Sequence, residues 1–142
     1  MAKIETSVQI ARPVETVWEY MTDLRNVKDW STEVVDTVYS GPLRLGASGT
    51  DTRRMGKGEI KWNWEVTDYD PPRRLTLTYG PPLNAVADFT FEPNGDNGTR
   101  LGCTTTLRPT GWMKVIAPII ALEGRKADQR QFTKVKAILE QV

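Results

Sequence analysis

The feature that most constrains this chain is an asymmetry. A single long helical stretch, Thr110 to Val142, follows an almost uninterrupted succession of strand patterns. A lone helix after a run of antiparallel strands has to bury one face against the sheet. Where such a sheet is strongly curved, helix and sheet enclose a cavity between them. The residues alone therefore lead to a protein that holds a small apolar molecule. They leave the identity of that molecule and any turnover open.

The order of elements supports this reading. Ile4, Thr6, Val8 and Ile10 alternate with polar neighbours and predict a first strand. Pro13 opens a short amphipathic helix carrying Val14, Val17, Trp18 and Met21. Asp23 caps a second short helix through Leu24 and Val27, ending at Trp30. Strands follow at Glu33 to Tyr39 and between Gly46–Gly49 and Met55, with a tight turn at Gly56-Lys57-Gly58. Ile60, Trp62, Trp64 and Val66 give the clearest period of two. After Asp70-Pro71-Pro72 come Leu75, Leu77 and Tyr79, and after Gly80-Pro81-Pro82 come Leu83, Ala85, Ala87, Phe89 and Phe91. Asn94-Gly95 and Asn97-Gly98 mark a hairpin loop before Leu101, Cys103, Thr105 and Leu107. No crossover helix separates the later strands, so the sheet is expected to be antiparallel and the class α+β. In the closing helix, Phe132, Val135, Leu139 and Val142 form one stripe in the back half. The front half, Trp112 to Leu122, is apolar on nearly every face and reads as buried. Pro118 is expected to kink the helix or delay its start, and Gly124 to be a second weak point.

Composition narrows the function classes. The chain has 142 residues and reads as one domain, 1–142, with net charge +1. That charge gives no field to recruit nucleic acid. A single cysteine, Cys103, excludes an internal disulfide framework and a cysteine zinc site. Histidine is absent, which excludes a Ser-His-Asp triad, a Cys-His dyad and a histidine-ligated metal. No cofactor and no metal are expected, and proton transfer would fall to Tyr, Asp, Glu, Lys, Arg or water. The opening residues Met1 to Ser7 have no apolar core of a signal peptide. The longest apolar run, Val115 to Leu122, falls far short of the roughly 20 residues that span a bilayer. The expectation is a cytoplasmic protein, monomer or homodimer, with no stable membrane anchor.

Local text adds a resemblance. Ala11-Arg12-Pro13-Val14-Glu15-Thr16-Val17-Trp18, the Asp23 to Trp30 helix, Leu45-Gly46-Ala47-Ser48-Gly49-Thr50, and Val66 through Leu75 with its Asp70-Pro71-Pro72-Arg73-Arg74 core together cover the chain. They resemble the SRPBCC superfamily. It groups START lipid-transfer domains, the Bet v 1 pollen-allergen type and bacterial polyketide cyclase/dehydratase-like proteins. The resemblance implies a helix-grip fold: a seven-stranded curved antiparallel sheet wrapped around a long C-terminal helix, with two short helices between strands 1 and 2. It also implies a cavity for a small hydrophobic molecule such as a lipid, quinone or polyketide. In this chain the implied lining is Trp62, Trp64, Leu77, Tyr79, Phe89 and Thr105 from the sheet, with Met113, Ile116, Ala117 and Ile120 from the helix. A one-residue bulge would invert the sheet assignments. The same inward residues could instead fill a core.

Other residues read more plainly. Alternation sends Arg53 and Arg54 to opposite faces, and both are expected to reach solvent near the strand end. An inward arginine would need a partner. Glu65 and Asp88 fall on polar phases and are expected to be solvated rather than paired for catalysis. Cys103 reads as a small buried hydrophobe. Gly41 to Gly46 has the glycine spacing of a phosphate loop but lacks the Lys-Ser/Thr that must follow. Three functions stay open: a carrier of a hydrophobic ligand, a polyketide cyclase/dehydratase-like enzyme, and a protein-interaction module of the same fold. The enzyme requires an ionisable group in the cavity, with Tyr79 or an inward Arg53 or Arg54 as candidates. The interaction module requires an exposed apolar patch and a small void.

Overall fold

The computed structural model describes residues 2–31, 34–39, 41–55, 57–81 and 83–141. The expectations placed on Glu33, Gly56, Pro82 and Val142 fall outside these residues. Seven strands form one antiparallel sheet: β1 (Ala2–Ile10), β2 (Val34–Tyr39), β3 (Ser48–Met55), β4 (Gly58–Asp70), β5 (Arg74–Tyr79), β6 (Ala85–Pro93) and β7 (Thr99–Leu107). Their order is β1-β7-β6-β5-β4-β3-β2, so first and second strands lie at opposite margins. The sheet curves around a long C-terminal helix, which makes the helix-grip architecture. The β3 to β7 run is a meander of neighbours, as short turns without crossovers require. Gly49 lies inside β3 rather than flanking it, and Leu83 precedes β6 in the turn.

Two short helices, α1 (Val14–Thr22) and α2 (Val27–Trp30), join β1 to β2. The Asp23 carboxylate accepts from the Arg25 backbone N–H at 3.1 Å and starts the 3-10 turn between them. Val14, Val17, Trp18 and Met21 are all buried. Trp18 sets its edge against Phe91 at 4.9 Å between centroids and leans on Tyr69 at 5.7 Å. Such pairs contribute about 0.5–1.5 kcal/mol beyond their buried area. They plug one end of the fold with a close-packed core.

A bulge decides which side chains face inward on β4. The β4–β5 register shifts between Val66 and Asp68. Up to Val66 the even residues point in. Beyond the extra residue the phase inverts, and Tyr69 turns inward to meet Trp18. The inversion falls after Trp62 and Trp64, so their inward phase survives.

The closing helix differs from the sequence expectation at its front. Residues Gly111–Lys114 form a 3-10 turn, and the α-helix proper, α3, spans Ala117–Glu140. Pro118 sits in the first turn, where a missing N–H is harmless, so it delays the start instead of kinking the helix. The front is also not buried all round. Trp112, Val115, Ile119 and Leu122 are 57%, 82%, 63% and 52% exposed. The back half is the packed part: Ala127, Gln131, Phe132, Val135 and Leu139 are buried. This half lies along β1 and is tied to it by polar contacts. Lys136 Nζ donates to the Gln9 carbonyl at 2.6 Å, and Glu140 accepts from the Ala11 N–H at 2.8 Å. Gly124 is a contact rather than a weak point, because a Cβ there would lie 3.0 Å from Ile4 Cδ1. No helix is long and apolar enough to cross a membrane among the described residues.

The contrast between the packed core and the exposed front of the closing helix can be checked by urea unfolding. Leu101→Ala, at a fully buried β7 position, should cost about 2–5 kcal/mol. Val115→Ala should stay within about 0.5 kcal/mol of the parent. A Val115→Ala loss as large as that of Leu101→Ala would contradict the exposed placement of the front segment.

Candidate functional site

The sheet's concave face does not close onto α3. Strand register explains why. One inward row runs Val66, Leu77, Ala87, Thr105 and Ile4 across five strands, and the next runs Leu75, Phe89, Cys103 and Thr6. Ala87 and Thr105 in the middle of the first row and Cys103 in the second are small, and Gly124 and Ala127 border the same space from α3. A cavity of about 590 Å³ remains between sheet and helix.

Eight of the ten sequence-derived lining residues border this cavity: Trp62, Trp64, Leu77, Tyr79, Phe89, Thr105, Ile116 and Ile120. Met113 and Ala117 do not. Met113 sits in the 3-10 turn, where α-helical spacing does not apply, and it is fully buried in the core. Ala117 is the first residue of α3 and lies off the cavity wall. The wall instead continues down α3 through Glu123, Gly124, Ala127, Asp128, Gln131 and Phe132. The sequence places Phe132 on the apolar stripe of this half without marking it as cavity lining. It had no signal for Asp128, a charged residue on an otherwise ordinary polar helix face.

The expectation that both arginines reach solvent fails for Arg53. Residues 51 and 53 share the inward face of β3, opposite Trp62 and Ile60 of β4. Arg53 Nη2 donates to Asp51 Oδ2 at 3.1 Å and to the Tyr79 hydroxyl at 3.1 Å. Its guanidinium lies 5.6 Å from the Trp62 ring centroid and 5.5 Å from that of Tyr79. Asp51 is held in turn by the Trp64 indole N–H at 2.9 Å and the Thr37 hydroxyl at 3.2 Å. Arg54 takes the opposite phase and is exposed at the cavity rim. The alternation was legible. Asp51 as the inward partner was not, because nothing in a linear reading marks a buried carboxylate two positions away. Glu65 is exposed, and Asp88 pairs with Arg74 at 2.9 Å on the outer face, both clear of the cavity.

Burial shapes the protonation of this cluster. It pulls the Arg53 guanidinium down, but Tyr79 and Asp51 outweigh it and leave the group charged. Burial pushes the Tyr79 hydroxyl up to about 12, against the opposing Arg53 charge. The Cys103 thiol is pushed up to about 12 by burial, with the Thr105 hydroxyl opposing, so it is an inert thiol. Asp128 is pushed up to about 6 by burial, with Arg53 pulling the other way. It is thus a cavity-lining carboxyl able to hold or release a proton near neutrality. Two buried N–H donors in the wall, Arg53 Nε and Trp62 Nε1, have no acceptor among the described residues, nor has the Trp30 indole. No group of acidic or thiol side chains among the described residues could hold a metal.

A curved antiparallel sheet gripping a helix over an apolar cavity with an ionisable cluster in its wall defines the helix-grip class of cavity proteins. The chain belongs to the polyketide cyclase/dehydrase and lipid transport family, whose pattern matches residues 1–140. It is 25% identical over 132 residues to an uncharacterized protein of Mycobacterium tuberculosis, covering 88% of this chain and 79% of the relative. Among solved structures it resembles TTHA0849 from Thermus thermophilus, with TM-score 0.83 and 15% identity over 99% of this chain and 98% of that one. It also resembles the Zhui aromatase/cyclase from a Streptomyces species, with TM-score 0.79 and 15% identity over 99% and 94%. These likenesses establish the fold.

The raised Asp128 value makes a stability prediction. The folded state holds this proton more tightly than an ordinary carboxyl at 3.8 does, so the neutral form favours folding. That contribution is complete below the ordinary value and is lost as pH rises through about 6. Asp128→Asn should therefore gain on the parent by up to about 3 kcal/mol between acid and neutral pH. Urea melts across that range check it, and parallel profiles for parent and variant would refute the raised value of this half-buried carboxyl.

Proposed function

We propose that this protein binds a small, mostly apolar molecule in the cavity between sheet and α3, as a carrier or sensor. The observation that carries the reading is the unfilled volume of about 590 Å³, within the range of small-molecule sites, walled by apolar and aromatic side chains. The family's description, which joins cyclases with lipid transport, supports a ligand-binding or cyclase-like role.

A second reading, a cyclase-like enzyme, is favoured by one specific observation. Asp128, Arg53 and Tyr79 all border the cavity, which supplies the ionisable group this chemistry needs. Asp128 is the candidate for proton transfer and Arg53 for steadying developing negative charge on a ligand oxygen. The interaction-module reading gains the exposed front of α3 but requires a small void, and the cavity volume weighs against it.

Native mass spectrometry of the freshly purified protein, followed by denaturation and analysis of released molecules, tests the binding reading. A co-purifying apolar compound is the expected result. Its recovery after incubation, unchanged or altered, separates carriage from turnover. Ala87→Phe places a ring in the middle of the concave face and should weaken binding by about tenfold or more while the protein still melts cooperatively. Undiminished binding in Ala87→Phe would move the ligand out of this cavity.

A further inference from the structure

The geometry points to a cavity that selects by charge: it takes an uncharged, oxygen-bearing apolar molecule and rejects the carboxylate of equal chain length. This rests on the reading of the cavity as a ligand site. The charged residues bordering the cavity are Asp51, Arg53, Arg54, Glu123 and Asp128. Arg54 and Glu123 are exposed at its rim, which leaves Arg53 as the interior cation against two carboxyl groups. That cation is already occupied. Its Nη2 is shared between Asp51 and the Tyr79 hydroxyl, each at 3.1 Å, and the Trp62 and Tyr79 rings cover its flanks. A ligand carboxylate would arrive as a third acidic group beside a single cation that Asp51 already pairs. In a low-dielectric site such a charge is not tolerated without a partner.

What the wall does lack is an uncharged acceptor. Arg53 Nε and the Trp62 indole N–H are buried donors without partners, on side chains whose guanidinium and ring lie 5.6 Å apart. A ketone, ether or hydroxyl oxygen satisfies such donors and adds no charge. A hydroxyl would also offer its proton to Asp128 on the facing helix. An arginine already paired with Asp51, in a cavity that holds a second carboxyl at Asp128, is the reverse of what a fatty-acid head group needs, namely a cation free of acidic partners.

Binding of 2-dodecanone, 1-dodecanol and dodecanoate can be compared by tryptophan quenching at roughly pH 8, where carboxylic acids are ionised. The parent protein should bind the ketone and the alcohol about tenfold or more tightly than dodecanoate. Asp128→Asn should narrow that ratio by strengthening dodecanoate binding, which separates the site's charge from the head group's own hydration. Asp128→Ala provides the same comparison if the amide variant melts without cooperativity. Dodecanoate binding as tightly as the ketone overturns the selection while leaving the ligand site standing, and so does an unchanged ratio in a cooperatively folded variant. Failure of all three compounds to bind overturns the ligand reading, and the selection with it.

Discussion

The fold depends on how α3 is held. It is fixed along one margin of the sheet and unsupported above the middle. Its back half buries Phe132, Val135 and Leu139 and is tied through Lys136 and Glu140 to the end of β1. Its front half meets the concave face only across the cavity, with Ile119 and Leu122 turned to solvent. Had the middle of the sheet carried large residues in place of Ala87 and Thr105, the same helix would have closed onto a filled core. The cavity follows from small side chains, Ala87 and Thr105, at the centre of one inward row, with Cys103 beside them in the next, not from any missing element.

The cluster around Arg53 is costly to bury and therefore informative. A desolvated ion pair seldom adds much net stability, since the loss of hydration offsets most of the attraction. Here Asp51 is satisfied by an arginine, an indole N–H and a threonine hydroxyl, and the guanidinium also stacks on two rings. Such complete satisfaction of the carboxylate sits beside incomplete satisfaction of the arginine Nε and the Trp62 indole. Buried donors left without partners call for an explanation beyond packing.

Much of this was legible beforehand because the relevant signals are periodic. Alternation at Ile60, Trp62, Trp64 and Val66 gave the inward face, and the bulge fell late enough to spare it. Helical spacing gave α1 and the back of α3. What escaped were features without a period. Asp51 shares its inward phase with Arg53, and only its partners on β2, β3 and β4 show that it is buried. Asp128 looks like any solvated helix residue until the cavity beneath it is known. Met113 and Ala117 were misplaced because an α-helical repeat was extended over a 3-10 turn and the start of the helix. Arg53 was given to solvent because arginine on a strand usually is, and the deciding fact lay two residues upstream.

The order of the strands has a consequence for how such a protein diversifies. β1, which clamps the helix, and β2, which flanks the Asp51–Arg53 pair, lie at opposite margins of the sheet. Scaffold and recognition are thereby borne by different parts of the molecule. Substitutions at Thr37, Asp51, Arg53 or Trp62 can retune what the cavity accepts without loosening the grip on α3. Substitutions along β1 other than at Ile4, which borders the cavity, can be screened for fold with little effect on recognition. A lineage built this way can explore new ligands at low risk to its architecture.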